Sequence, residues 1–193
     1  MNLRLLLLLP TACLACACAS SPSLETARAN VRLVQSETTP SRLLEQGDRF
    51  AALGDTTRAE QYFAAALDAG GPEGILVRRL IRVCVSDHRF PAALDYASNH
   101  LRRHPEDRQV RFARAAIEAA VDQPVAAQTD LEAILARAPD DPDVHFALAT
   151  LLRDKLDDVR GADAHFRRYL QIRPEGAAGE EARDGLLQEE HQP

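Results

Sequence analysis

Between Pro40 and Gly176 the apolar residues fall in short stripes with helical spacing, broken at regular intervals by glycine, proline and aspartate. Leu43, Gly47 and Phe50 share one stripe and Ala59, Phe63 and Ala66 the next, which predicts two amphipathic helices. Gly54-Asp55 between them reads as a turn with Asp55 as N-cap, and Gly70-Gly71-Pro72 stops the second helix. The alternation then continues. Val77, Leu80, Ile81 and Cys84 face inward on one helix, and Ala93, Ala97 and Leu101 on its partner. Phe112 and Ala115 answer Ala127, Leu131 and Ile134 in the third pair. In the fourth, Leu148, Ala149 and Leu152 answer Ala162, Phe166 and Leu170, provided the turn near LDDVRG holds one extra residue. Asp141 suits an N-cap and Pro142 a first helical position. Ala178, Ala182, Leu186 and Leu187, set among acids, predict a last amphipathic helix.

A period underlies the stripes. Pro105, Pro139 and Pro174 are 34 and 35 residues apart, and a fixed interval of this size signals a stacked repeat. From about Pro40 through Gly176 the chain resembles the tetratricopeptide-repeat (TPR) family. The best match is PSRLLEQGDRFAALGDTTRAEQYFAAALDAGGPE, where the small Gly47 and Ala59 let paired helices approach and Phe50 and Phe63 fill the space between units. The resemblance implies an all-α fold, a right-handed superhelical solenoid of helical hairpins. Its units would be 40–73, 74–107, 108–141 and 142–176, with a capping helix and tail over 177–193. A terminal unit exposes one apolar face, which a polar-backed cap covers. Arg111 and Arg114 stand where the family usually has larger apolar residues, so the third unit matches least well.

The N-terminus sets a different expectation. MNLRLLLLLPTACLACAC has one positive charge, Arg4, then a short apolar run and small residues. That is a signal-peptide layout, too short and too interrupted by Pro10 for a membrane span. Cys13, Cys16 and Cys18 cluster there, and only Cys84 lies elsewhere. The cluster lacks the further ligands of a zinc site and the partners of a disulfide framework. It is similar to the signal of Gram-negative lipoproteins, with Cys18 as the lipidated residue and Cys16 as second choice. That resemblance implies a leader over 1–17 and, with Ala19 rather than an aspartate after Cys18, export to the outer membrane. Residues 18–39 would then be the lipidated N-terminus and a tether. Leu24, Ala27, Val31 and Val34 also allow a short helix over 24–36, docked or loose.

Composition narrows the partners. Hydrophobic residues make up 46%, aromatics only 5%, with no Trp, a profile of helices packed through alanine and leucine. A formal charge of −6 argues against nucleic acid.

Candidate chemistry is sparse. His100 and His104 are four apart on one predicted helix, the spacing of two metal ligands. Arg102 and Arg103 between them oppose a cation, so helix-end capping on the surface is the favoured reading and no metal is expected. His145 and His165 lie on paired helices and can approach in ordinary half-buried packing. Acids such as Asp140, Asp141, Asp143, Asp157 and Asp158 fall in turns, where capping accounts for them. Cys84, between Val83 and Val85, reads as a buried, inert thiol. No phosphate loop or nucleophile elbow is present, and neither enzymatic activity nor a cofactor is expected.

What remains is surface. The TPR resemblance implies a concave groove lined by the first helix of each unit, with ligand contacts at fixed positions. Carried onto this chain, these are Leu44 and Asp48; Ile75, Arg78, Arg82 and Val85; Gln109 and Phe112; and Asp143, Phe146, Thr150 and Arg153. Arginines beside phenylalanines suit an extended or helical peptide with apolar and acidic side chains. Packing of Phe112 and Phe146 between units is the competing reading. Leu44, Asp48, Gln109 and Ala113 replace the basic and asparagine clamp of the family's chaperone-tail binders. The expectation is a non-enzymatic, lipid-anchored scaffold on the periplasmic face of an outer membrane. It would recruit a protein or peptide segment of an envelope complex, as in pilotin-like pilus or secretion-machine assembly. A regulatory adaptor delivering clients to a periplasmic protease or cell-wall enzyme is the alternative. No small-molecule substrate is implied.

Overall fold

The computed structural model describes residues 38–186, whose regular structure is entirely helical. The leader at 1–17, Cys18 and Cys16, the 24–36 stretch of the tether and the tail beyond Leu186 lie outside the described residues. In order, the helices are α1 Pro40–Ala52, α2 Thr56–Asp68, α3 Glu73–Ser86, α4 Phe90–Arg103 and α5 Arg108–Ala120. They continue as α6 Pro124–Leu135, α7 Pro142–Lys155, α8 Val159–Ile172 and the short α9 Gly179–Asp184. Each odd helix packs on the even one after it, and successive hairpins stack in sequence, with α9 on α8. Among the described residues no helix is long and apolar enough to cross a membrane.

Side chains start most of these helices. The Asp55, Asp107, Asp141 and Asp158 carboxylates accept from the backbone N–H three residues on, and Thr39 does the same for α1. Pro142 occupies the first turn of α7 as its sequence predicts. The turns inside the hairpins repeat one geometry. Gly54, His88, Asp122 and Asp157 all have positive φ (76°, 55°, 59° and 53°), each immediately before the residue that opens the second helix. In the first three hairpins that opening residue donates its N–H to a carbonyl five residues back: Asp55 to Phe50, Arg89 to Cys84, Gln123 to Glu118. In the fourth, Asp158 reaches six back, to Leu152. The extra residue expected near LDDVRG sits inside this turn.

The core forms three clusters rather than one. Ala59, Phe63, Ala66, Leu76, Leu80 and Val83 close the first hairpin against α3. Val77, Ile81, Cys84, Ala93, Ala97, Leu101, Val110 and Ile117 join the second hairpin to α5. The third runs from Ala115 through Leu148 and Phe166 to Ala182 of α9, which covers the last hairpin as a cap. Phe63 and Phe166 are fully buried, each contributing about 2–3 kcal/mol of apolar burial. Gly47 makes the first of these placements possible, since a Cβ there would fall on the Phe63 ring. Tyr169 is buried at 2% exposure while neighbouring Leu170 is only partly so. Ala162 and Phe166 are buried as the sequence predicts, and Tyr169 joins them more deeply than Leu170.

The third hairpin solves its packing with charge. Arg111 Nη1 donates to Asp130 Oδ1 at 2.9 Å, and Arg114 donates through Nε to Oδ2 and through Nη2 to Oδ1, both at 2.6 Å. Asp130 is 2% exposed on α6, so the two arginines that break the apolar pattern enclose a buried carboxylate. Glu118 is buried beside them, 3.6 Å from Arg114, and its Oε2 finds no hydrogen-bond partner. Burial and then the Asp130 charge raise the Glu118 carboxyl above the ordinary value, with Arg114 opposing them.

Candidate functional site

Two adjoining cavities open along α7. One, of about 290 Å³, is lined by Phe112, Asp143, Phe146, Ala147, Tyr169, Arg173, Ala177 and Ala178. The other, of about 350 Å³, is lined by Ala119, Phe146, Ala147, Thr150, Leu151, Asp154 and Lys155. Phe146 and Ala147 belong to both, so the two adjoin as one groove along α7, walled by α5 and, at the Asp143 end, by α8 and the segment after it. Phe146 is half-buried and holds its ring 5.8 Å from Phe166 and 5.3 Å from Tyr169, centroid to centroid. Phe112 and Phe146 thus do both things weighed for them. They pack on the core and also present a face to the groove. The rim is ionic, with Arg173 Nη1 donating to Asp143 Oδ1 at 2.6 Å.

The other sequence-predicted positions are placed differently. Leu44 and Asp48 line a separate shallow cavity of about 450 Å³ on α1. Asp48 pairs with Arg79 of α3, accepting from its Nη2 at 3.4 Å with Nε 2.8 Å from Oδ1. Arg78 lies 3.7 Å from Asp107, which ties it to the next hairpin, whereas Arg82 and Gln109 are exposed. Arg153 bonds Asp154 at 2.6 Å and lies over the Phe166 ring. The structure therefore brings Phe112, Asp143, Phe146 and Thr150 to one groove and leaves Arg78, Arg82, Gln109 and Arg153 outside the lining of its cavities. Sequence reasoning missed Tyr169, Arg173, Ala177 and Ala178, which come from α8 and the segment after it. The family pattern points to first helices only, so nothing in it marks them.

The histidines correct one expectation. His100 is no surface cap: it is 2% exposed, with Nδ1 2.9 Å from Glu73 Oε1 and Nε2 3.0 Å from Asp107 Oδ2. Periodicity could not show this, because Glu73 and Asp107 flank the α4 C-terminus only in the stacked array. His104, half-exposed, places Nε2 3.4 Å from Glu73 Oε2. The His100 hydrogen bond, with the Arg103 charge helping, holds the Glu73 carboxyl below its usual range. His145 and His165 do approach, with Nδ1 atoms 2.8 Å apart, and His145 Nε2 lies 2.8 Å from the Pro139 carbonyl. That carbonyl only accepts, so His145 carries its proton on Nε2 and takes the Nδ1–H of His165. Burial, and then His145, lowers the His165 pKa below 6.5. Cys84 is fully buried, and burial with the nearby Glu60 carboxylate pushes its thiol up to about 11, as suits an inert side chain.

No protein-family model and no curated protein matches the chain. Solved structures do. A tetratricopeptide repeat protein from Parabacteroides merdae superposes with a TM-score of 0.69 at 18% identity, over 76% of this chain and 58% of that one. YrrB, a TPR protein with an unusual peptide-binding site, gives 0.65 at 19% identity over 82% and 81%. MamA from Desulfovibrio magneticus RS-1 gives 0.64 at 19% identity over 79% and 86%. Hairpins, turns and stacking define a solenoid of helical repeats. Its fold is that of the TPR proteins.

Proposed function

We propose that the chain is a non-enzymatic protein-interaction scaffold whose α5–α7 groove holds a peptide segment of a partner. The observation that carries this reading is the continuous groove lined by Phe112, Phe146, Ala147 and Thr150, with charged Asp143, Arg173 and Lys155 at its edges. Apolar floor and ionic rim suit a short segment that buries one or two large side chains and pairs its charges with the edge. YrrB, of the same fold, has a peptide-binding site, which supports the assignment of class. The sequence of the N-terminus supports the location: Cys18 as a lipidated residue would hang the scaffold from the outer membrane, facing the periplasm. There it would recruit an envelope protein, with a pilotin-like role in pilus or secretion-machine assembly.

Two measurements test the parts separately. Thr150→Arg places a long cation in the groove and leaves the core clusters intact. It is expected to abolish photo-crosslinking of a partner from position 147 in native membranes, with the circular dichroism unchanged. Undiminished crosslinking would place binding elsewhere. Palmitate labelling is expected for the wild-type chain and lost in Cys18→Ala. Labelling that persists there and disappears in Cys16→Ala would move the anchor by two residues.

A further inference from the structure

Among the described residues, one group brings three metal-competent side chains together: Glu73 at the start of α3, and His100 and His104 near the end of α4. A carboxylate oxygen and one nitrogen from each imidazole lie within 4.8 Å of one another. The two oxygens of Glu73 divide between the histidines, Oε1 facing His100 Nδ1 at 2.9 Å and Oε2 facing His104 Nε2 at 3.4 Å.

The outer nitrogens carry the second half of the case. His100 Nε2 is 3.0 Å from Asp107 Oδ2, and His104 Nδ1 is 3.7 Å from Glu106 Oε1. Each imidazole therefore turns one nitrogen inward to Glu73 and the other outward to a carboxylate of the 104–107 loop. Metal-binding histidines are commonly oriented this way, with the distal N–H donated to a carboxylate that fixes the tautomer and raises ligand basicity. An ion at the inner position of His100, on the Glu73 side, leaves the contact of Nε2 with Asp107 intact.

We propose that Glu73, His100 and His104 form a binding site for a divalent transition-metal cation of the zinc class, oriented at His100 by Asp107. Zinc takes imidazole and carboxylate ligands at about 2.0–2.2 Å, which puts ligand atoms about 3.3 Å apart. The pairs that include Glu73 are already near that separation. His104, with 42% of its side chain exposed, supplies the remaining movement. Three protein ligands leave a coordination position for water or for a group of a partner. Arg103 is the competitor: its Nη2 lies 2.6 Å from Glu73 Oε1, and its side chain, 61% exposed, can swing into solvent as the ion enters. Helix periodicity alone weighed Arg102 and Arg103 against a cation. The stacked array brings Glu73 to Arg103 and to both histidines, with Asp107 against His100 and Glu106 beside His104.

Zinc titration of the purified full chain, its accessible thiols alkylated so that the N-terminal cysteines do not bind, tests the site against a chromophoric chelator. Wild type is expected to take up one equivalent. Glu73→Gln and His104→Ala should each weaken that uptake by about a hundredfold, and Asp107→Asn, which retains a capping side chain for α5, by about tenfold. Arg103→Ala should tighten it, a response that a purely structural ion-pair cluster does not give. Absence of uptake by the wild type would overturn the proposal. So would one equivalent bound equally well by wild type and by the Glu73→Gln, His104→Ala double variant, or an Arg103→Ala chain that binds no more tightly.

Discussion

Arg114 donates to both oxygens of Asp130, at 2.6 Å each, across the α5–α6 hairpin. Bidentate geometry of this kind is the strongest arrangement open to the pair. It works here because Asp130 also receives Arg111, and because each arginine keeps about a fifth of its side chain in water. Removing the carboxylate leaves two cations facing each other in a half-buried hairpin. Asp130→Ala should therefore lower the unfolding free energy by about 3 kcal/mol, measured by urea denaturation. Replacing all three residues by leucine should restore most of it, since the cluster supplies charge balance where the other hairpins use apolar contact.

Glu118 sits on the unfavourable side of the same cluster. Its folded pKa is raised, chiefly by burial, so the folded state holds its proton more tightly than the unfolded chain does. At neutral pH its ionised form costs stability, and that cost disappears as pH falls through the raised folded value toward the ordinary 4.5. Glu118→Gln should stabilise the chain by about 1 kcal/mol at pH 7, with the advantage shrinking in acid. An advantage that stays constant with pH would assign the effect to something other than the charge.

His165 should give the opposite slope. Its folded pKa is lowered below 6.5 by burial and by His145, so the unfolded chain binds the proton first. Stability is then fully present above 6.5 and falls as pH drops from there through the lowered folded value. His165→Asn keeps a donor near His145 Nδ1 and removes the titration. Thermal melts across this range should show a shallower decline in the variant than in the wild type.

Asp157 has φ of 53° in the longer turn of the last hairpin, a conformation that costs a residue with a Cβ about 1 kcal/mol. Glycine carries no such cost, although it gives up more freedom on folding. Asp157→Gly is expected to raise the melting temperature modestly, by about 0.5–1 kcal/mol in stability. Gly54→Ala, at the matching position of the first turn, should lower it by a similar amount.

Much of the fold was legible because each hairpin is a local object. The Gly47–Phe63 fit, the Asp55 and Asp141 caps and the extra residue before Asp158 all follow from spacing within a single unit. Contacts between units were not legible in the same way. His100 looked like a surface residue because its partners, Glu73 and Asp107, are brought to it by the stacking of α3 and α5 on α4. Asp130 gave no signal, since a lone aspartate on an amphipathic helix usually faces water, and only the positions of Arg111 and Arg114 hinted at a burial problem. For the groove, Phe112 and Phe146 were readable from their register. Tyr169 and Arg173 were not, because they enter from the second helix and from the segment beyond it.

The three core clusters also determine how the array yields. Within α5, Val110 and Ile117 belong to the middle cluster and Ala115 to the last, so the boundary between two sealed compartments runs along a single helix. A load applied along the array has no single latch to break. It would peel hairpins one at a time, each release lengthening the molecule by a step while the compartments behind it stay shut.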